Sequence, residues 1–239
     1  MKPQLEALNV KIFADGAAHA GVVELARNPL IKGFTTNPTL MHKVGIPDYE
    51  VFAKQLLEAV PELPISFEVF SDEFDEMERQ ALKISAWGDN VYVKIPVTNT
   101  RSEDTGKLLA HLAAEGVKVN VTALMTLEQV RRASEQLAEG PSAYVSVFAG
   151  RIADTARDPV PMMAAAVELL RPYPNLELIW ASPRELLNIF QADAVGCHII
   201  TVTHDLLEKL STVGRDLTDY SLATVRMFYD DAVAAGFRL

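Results

Sequence analysis

The sequence predicts an α/β protein, a single closed (β/α)8 barrel of the TIM type with an extra C-terminal helix. Three observations predict it. Eight short apolar, β-branched runs recur along 239 residues, and most are separated by segments whose apolar residues fall at helical spacing. Several runs are apolar throughout instead of alternating, as parallel strands covered on both faces are. The length is that of a closed barrel, which takes roughly 250 residues. A doubly wound open sheet is the rival, but it would use fewer strands at this length. The chain also lacks the G-x-G-x-x-G and G-x-x-x-x-G-K-[ST] signatures that would go with it.

Taken in order, the first strand is expected at 10–14, before Val22, Leu25 and Ala26 on one helix face. The second, 31–36, leads to a stripe of Val51, Phe52, Leu56, Leu57 and Val60. The third, 65–70, precedes Met77, Ala81, Ile84 and Ser85, and the fourth, 91–97, precedes Leu108, Leu109 and Leu112. The fifth, 118–124, is followed by Leu127 and Val130, and the sixth, 144–149, by Met163, Val167 and Leu170. The seventh, 176–182, is followed by Leu186, Leu187 and Phe190, and the eighth, 197–202, by Leu206, Leu207 and Leu210. Residues 218–236, with their amphipathic stretch from Tyr220 to Ala234, form the extra helix. No Ser/Gly-rich linker or charge block interrupts this rhythm, so 1–239 is expected to be one domain.

Composition narrows the function. Hydrophobic residues make up 49% and charged residues 23%, enough for a large core and incompatible with intrinsic disorder. No apolar run approaches the ~20 residues of a membrane span, and the first ten residues carry no hydrophobic signal core. A cytoplasmic protein is expected, in keeping with a single cysteine, Cys197, at the start of an apolar strand. Lys plus Arg is 22 against 32 Asp plus Glu, a net charge of −10, which argues against nucleic acid as a partner. A small anionic substrate needs only two or three local cations. The five histidines are scattered without H-E-x-x-H or C-x-x-C, so no metal site is expected.

In a barrel the functional groups gather at the C-terminal ends of the strands. Asp15 ends the first, Thr35, Thr36 and Asn37 the second, and Glu68 lies in the third. Lys94 stands in the apolar run Val91-Tyr92-Val93-Lys94-Ile95-Pro96-Val97, on one face with Tyr92 and Pro96. A buried ammonium is costly unless paired, and a desolvated lysine that gives up its proton can attack a ketone to form a Schiff base. The alternative is a structural lysine paired with Glu68 or Asp15. Those two carboxylates would in turn move protons to and from a substrate hydroxyl, or simply balance the lysine's charge. Asn37, Asn120, Thr122 and Ser146 are hydrogen-bonding groups in apolar strands, suited to a polyhydroxylated ligand or to one another. Arg151 and Arg184, with Ser182, follow the sixth and seventh strands, where barrels often hold phosphate; the alternative is surface pairing with Asp154 or Glu185.

These residues, in this order, resemble the transaldolase family over nearly the whole chain from Asp15 to about Asp205. Gly33-Phe34-Thr35-Thr36-Asn37-Pro38-Thr39-Leu40 resembles the family's T-T-N-P-[ST] signature, and Val91-Tyr92-Val93-Lys94-Ile95-Pro96 is similar to the segment carrying its Schiff-base lysine. Asn120-Val121-Thr122, Ser146-Val147-Phe148-Ala149-Gly150-Arg151 and Ala181-Ser182-Pro183-Arg184 complete the series. The resemblance implies a cofactor-free reaction in which Lys94 attacks C2 of a ketose phosphate, Asp15 takes the C4 hydroxyl proton, and Glu68 and Thr122 handle protons through a water. It implies that Asn37, Asn120 and Ser146 hold the dihydroxyacetone hydroxyls, and that Arg151, Ser182 and Arg184 hold the phosphate.

The chain matches in size the compact members, which include fructose-6-phosphate aldolases that release free dihydroxyacetone. Glu68 and Phe148 stand where the aldolase type tends to carry Gln and Tyr, which favours transfer over cleavage. Pro183 departs from the aromatic usual in long members, which would shift the phosphate loop. A barrel that binds a sugar phosphate without chemistry is the third reading. The C-terminal helix is expected to pack on its own barrel or on a neighbouring subunit of a homo-oligomer, as it does in compact members.

Overall fold

The computed structural model describes residues 5–16, 19–36, 41, 45 and 48–238. Eight strands are present: β1 Lys11–Asp15, β2 Ile31–Thr35, β3 Ile65–Glu68, β4 Val91–Pro96, β5 Val119–Leu124, β6 Ala143–Val147, β7 Leu176–Trp180 and β8 Ile199–Thr203. Each pairs in parallel with its sequence neighbour, and β8 returns to β1 through Lys11↔Ile199 to Asp15↔Thr203, closing the barrel. Closure leaves no sheet edge to protect. The helices are α1 His19–Leu25, α2 Tyr49–Ala59, α3 Phe74–Ser85, α4 Gly106–Ala114, α5 Leu127–Leu137, α6 Ala149–Ala153, α7 Val160–Leu170, α8 Leu187–Ala194, α9 His204–Glu208 and α10 Leu217–Ala234.

Strand alternation sorts the side chains into two populations. Outward-facing residues such as Ile12, Phe34, Phe67, Val93, Val121 and Trp180 pack against the helices as the main core. Inward-facing Phe13, Tyr92, Tyr144, Ile179 and Ile199 form a second cluster, which fills the barrel interior. Tyr92 and Tyr144 stack there with ring centroids 3.9 Å apart, and Phe13 meets Tyr144 edge-on at 5.7 Å. Gly33 makes this possible, because a Cβ on it would lie 2.6 Å from the Phe13 ring. Continuing each strand in steps of two brings Ser66, Lys94, Asn120, Ser146 and Thr201 into a polar belt further along the barrel, all buried.

Most helix faces form as their spacing predicts. Asp48 caps α2 by accepting from the Val51 N–H at 3.0 Å, and Thr126 with Gln129 makes a capping box on α5. Four assignments are corrected. Val51, Leu127 and Leu187 are exposed, not core. In α8 the buried face carries Asn188, Ile189 and Ala192 instead of Leu187 and Phe190. The reason is the turn before the helix: Asn188 Oδ1 accepts from the Arg184 and Glu185 N–H groups at 2.8 and 3.1 Å, which draws position 188 inward. Cys197 is a buried packing residue, and burial pushes its thiol up to about 12. No residue of α10 is buried.

Candidate active site

Lys94 sits on β4 between β3 and β5, in register with Glu68 and Asn120. Only 7% of it is exposed. Its Nζ donates to Glu68 Oε2 at 3.1 Å and to the Thr36 backbone oxygen at 2.9 Å. The lysine is therefore paired as the charge argument requires, with the Glu68 carboxylate in direct contact.

On the other side, Asn120 is fully buried and fixed at both ends. Its Nδ2 donates to Ser66 Oγ at 2.9 Å and its Oδ1 accepts from Ser146 Oγ at 2.7 Å. Two residues further along β5, Thr122 is buried and its hydroxyl has no hydrogen-bond partner among the described residues. A left-handed Ala123 (φ 65°) follows, at the point where the β5–β6 register shifts. Asp15 ends β1 and accepts from Thr35 Oγ1 at 2.9 Å; Thr35 in turn lies 2.5 Å from the Thr201 hydroxyl. Asn37 lies outside the described residues.

The basic residues gather around the loops after β6 and β7. Gly150 and Ser182 join those loops: a Cβ on Gly150 would lie 1.6 Å from the Ser182 backbone oxygen, so glycine alone fits. Ser182 itself is left-handed (φ 60°), directly before Pro183. The Arg151 guanidinium lies 5.3 Å from the Phe148 ring centroid. Arg184 grips Asp154 with Nε (2.8 Å to Oδ1) and Nη2, while Nη1 donates to Ser182 Oγ at 2.9 Å. The fork holds the Asp154 carboxyl below the usual carboxylate range and raises Arg184 in turn. The pairing with Asp154 is thus formed. Among the described residues no group of three His, Cys, Asp or Glu is placed to hold a metal ion.

Comparison with known proteins decides the family. The model of the transaldolase/fructose-6-phosphate aldolase family matches residues 12–238. The chain belongs to this family. It is 33% identical over 231 residues to a "probable transaldolase" of Thermoanaerobacter sp., covering 96% of this chain and all of that one. It is 35% identical over 202 residues to "probable transaldolase 2" of Listeria monocytogenes, covering 84% and 88%. Among solved structures, a truncated 3-deoxy-D-arabino-heptulosonate 7-phosphate synthase from Thermotoga maritima superposes with a TM-score of 0.54 at 17% identity. That match covers 96% of this chain and 88% of that one, and it shows the shared barrel fold alone.

Set against this transaldolase-family site, sequence reasoning passed over three groups. Ser66, two residues before Glu68, was findable by strand alternation. The Thr36 backbone oxygen carries no side-chain signal. Tyr49, whose hydroxyl bonds the backbone of Glu68, lies in a helix; alternation along the strands does not reach it.

Proposed function

We propose that this protein is a transaldolase that transfers a dihydroxyacetone unit from a ketose phosphate to an aldose phosphate through a Schiff base on Lys94. The observation that carries the reading is the nearly buried ammonium of Lys94, held between the Glu68 carboxylate and the Thr36 carbonyl beside a polar belt of Asn120 and Ser146. A binding protein gains nothing from keeping an amine in so costly a place.

By this reading Glu68, 3.1 Å away, takes the proton that frees the Lys94 amine. The amine attacks C2 of fructose 6-phosphate or sedoheptulose 7-phosphate, and the carbinolamine loses water to give an iminium ion. Glu68 and Thr122, acting through a water, pass the protons of that dehydration. Asp15 takes the proton of the C4 hydroxyl. The C4 carbon becomes the aldehyde of the departing aldose phosphate as the C3–C4 bond breaks, and the bonding electrons move into the iminium to leave an enamine. The enamine carbon then attacks the aldehyde of the acceptor, and the steps reverse to hydrolysis. Asn37, Asn120 and Ser146 hold the hydroxyls of the three-carbon unit. Arg151, Ser182 and Arg184, beside Phe148, hold the phosphate through charge-assisted bonds. No cofactor enters the scheme.

The test is the fate of the three-carbon unit. With fructose 6-phosphate and erythrose 4-phosphate, glyceraldehyde 3-phosphate and sedoheptulose 7-phosphate should accumulate together. With fructose 6-phosphate alone, little product should form. Free dihydroxyacetone appearing steadily without acceptor would make the protein an aldolase instead.

We also propose that the 1–239 barrel works as a cytosolic homo-oligomer. Leu222, Val225, Tyr229 and Val233 form a stripe along α10, the last three at least 60% exposed and Leu222 nearly half exposed, and the unit that covers it is a second copy of this chain.

A further inference from the structure

The strand ladder beside Lys94 has a gap. In the β2–β3 pairing, Phe34 N–H donates to the Pro64 oxygen at 2.8 Å and Thr36 N–H to the Ser66 oxygen at 3.1 Å. By the alternation of a parallel ladder, the acceptor for Glu68 N–H is the Thr36 oxygen. The Thr36 oxygen, for its part, takes the Lys94 ammonium at 2.9 Å. The Glu68 N–H would therefore be left without its ladder partner.

The Tyr49 hydroxyl takes that partner's place. It accepts from Glu68 N–H at 2.8 Å and donates to Glu68 O at 3.1 Å. The ring is fixed edge-on among Phe67, Phe70 and Trp87, with centroids 6.1, 4.5 and 5.8 Å away. Burial pushes the phenol far above its ordinary value, so it stays protonated and keeps its one donor.

We infer that Tyr49 is a positioning residue for the reaction: its hydroxyl replaces the missing rung of the ladder, fixes Glu68 in place and leaves the Thr36 carbonyl free to hold Lys94. This rests on the Schiff-base reading of Lys94. Without the hydroxyl, Glu68 N–H competes with the lysine for the Thr36 oxygen, and the carboxylate is no longer anchored at its own backbone. The hydroxyl touches no substrate, so binding through Arg151, Arg184 and Asn120 is left intact.

The experiment uses the full chain with fructose 6-phosphate and erythrose 4-phosphate, comparing wild type, Tyr49→Phe and Trp87→Phe. The last disturbs the same aromatic cage while keeping the hydroxyl. Tyr49→Phe should lower kcat between about 10- and 100-fold, the scale of a misplaced catalytic group, with KM within about twofold. Borohydride trapping of Lys94 should slow by a matching factor. Trp87→Phe should keep wild-type kcat whatever stability it loses. 4-Aminophenylalanine at position 49 retains a donor and should recover part of kcat. It also reads the role if Tyr49→Phe does not fold, since it is a poorer acceptor and its kcat should still fall short of wild type. Wild-type kcat in either folded Tyr49 variant, or an equal kcat loss in Trp87→Phe, overturns the inference while the reaction stands. Absence of any Lys94 adduct in the wild type overturns the reaction and this inference with it.

Discussion

At Thr122, stability and turnover should part company. Its hydroxyl is buried without a partner among the described residues, so the fold gains nothing from it. Thr122→Val keeps the shape and removes the unsatisfied oxygen. The melting temperature should hold or rise, while kcat falls about a hundredfold or more if the hydroxyl relays protons. Ser146→Ala should do the opposite to the fold. It strips the donor from the buried Asn120 Oδ1 and should cost about 1–3 kcal/mol in urea unfolding, the penalty of an orphaned buried acceptor. Lys94, Asn120 and Ser146 were legible because each is a polar residue interrupting an otherwise apolar strand. Tyr49 was not legible, because its contribution is made to a backbone whose need arises only from the register of two strands and from the lysine that takes the Thr36 oxygen.

At the scale of elements, the eight strands were readable because parallel strands covered on both faces write themselves as apolar runs. The helix faces were less so, since a single capping side chain such as Asn188 rotates which residues turn inward. The junction of the β6 and β7 loops offers a direct test. Gly150→Ala would drive a Cβ into the Ser182 carbonyl, should cost about 1–3 kcal/mol of stability as overpacking does, and should raise KM for phosphorylated donors as Arg184 and Ser182 shift. At the other end of the barrel, His198 Nδ1 accepts from the Leu178 N–H at 3.0 Å, which requires the neutral ring. Burial lowers its pKa below the unfolded value near 6.5. The unfolded chain therefore binds the proton more readily, and this contribution to stability, complete above about pH 6.5, is lost as the pH falls. The urea midpoint should drop between pH 7.5 and 5.5, and the His198→Asn variant should show a smaller drop.

At the scale of the molecule, the closed parallel barrel brings the C-terminal strand ends to one mouth, so residues as distant in sequence as Asp15 and Arg184 lie at the same end. The helix α10 stands apart from this economy. Val225 and Phe228 are 60% and 64% exposed, and Tyr229 70%. If a second copy covers them, sedimentation should report an assembly larger than one chain, and Val225→Asp with Phe228→Asp should dissociate it. Each subunit should keep its far-ultraviolet spectrum, because neither side chain is part of the barrel core. The measurement that bears most directly on the whole account is chemical trapping of the reacting lysine. The protein is incubated with fructose 6-phosphate, reduced with borohydride and mapped by peptide mass. The account predicts an added dihydroxyacetone-sized mass on Lys94 and none on Lys94→Met. An unmodified Lys94, with sedoheptulose 7-phosphate as donor as well, would contradict it.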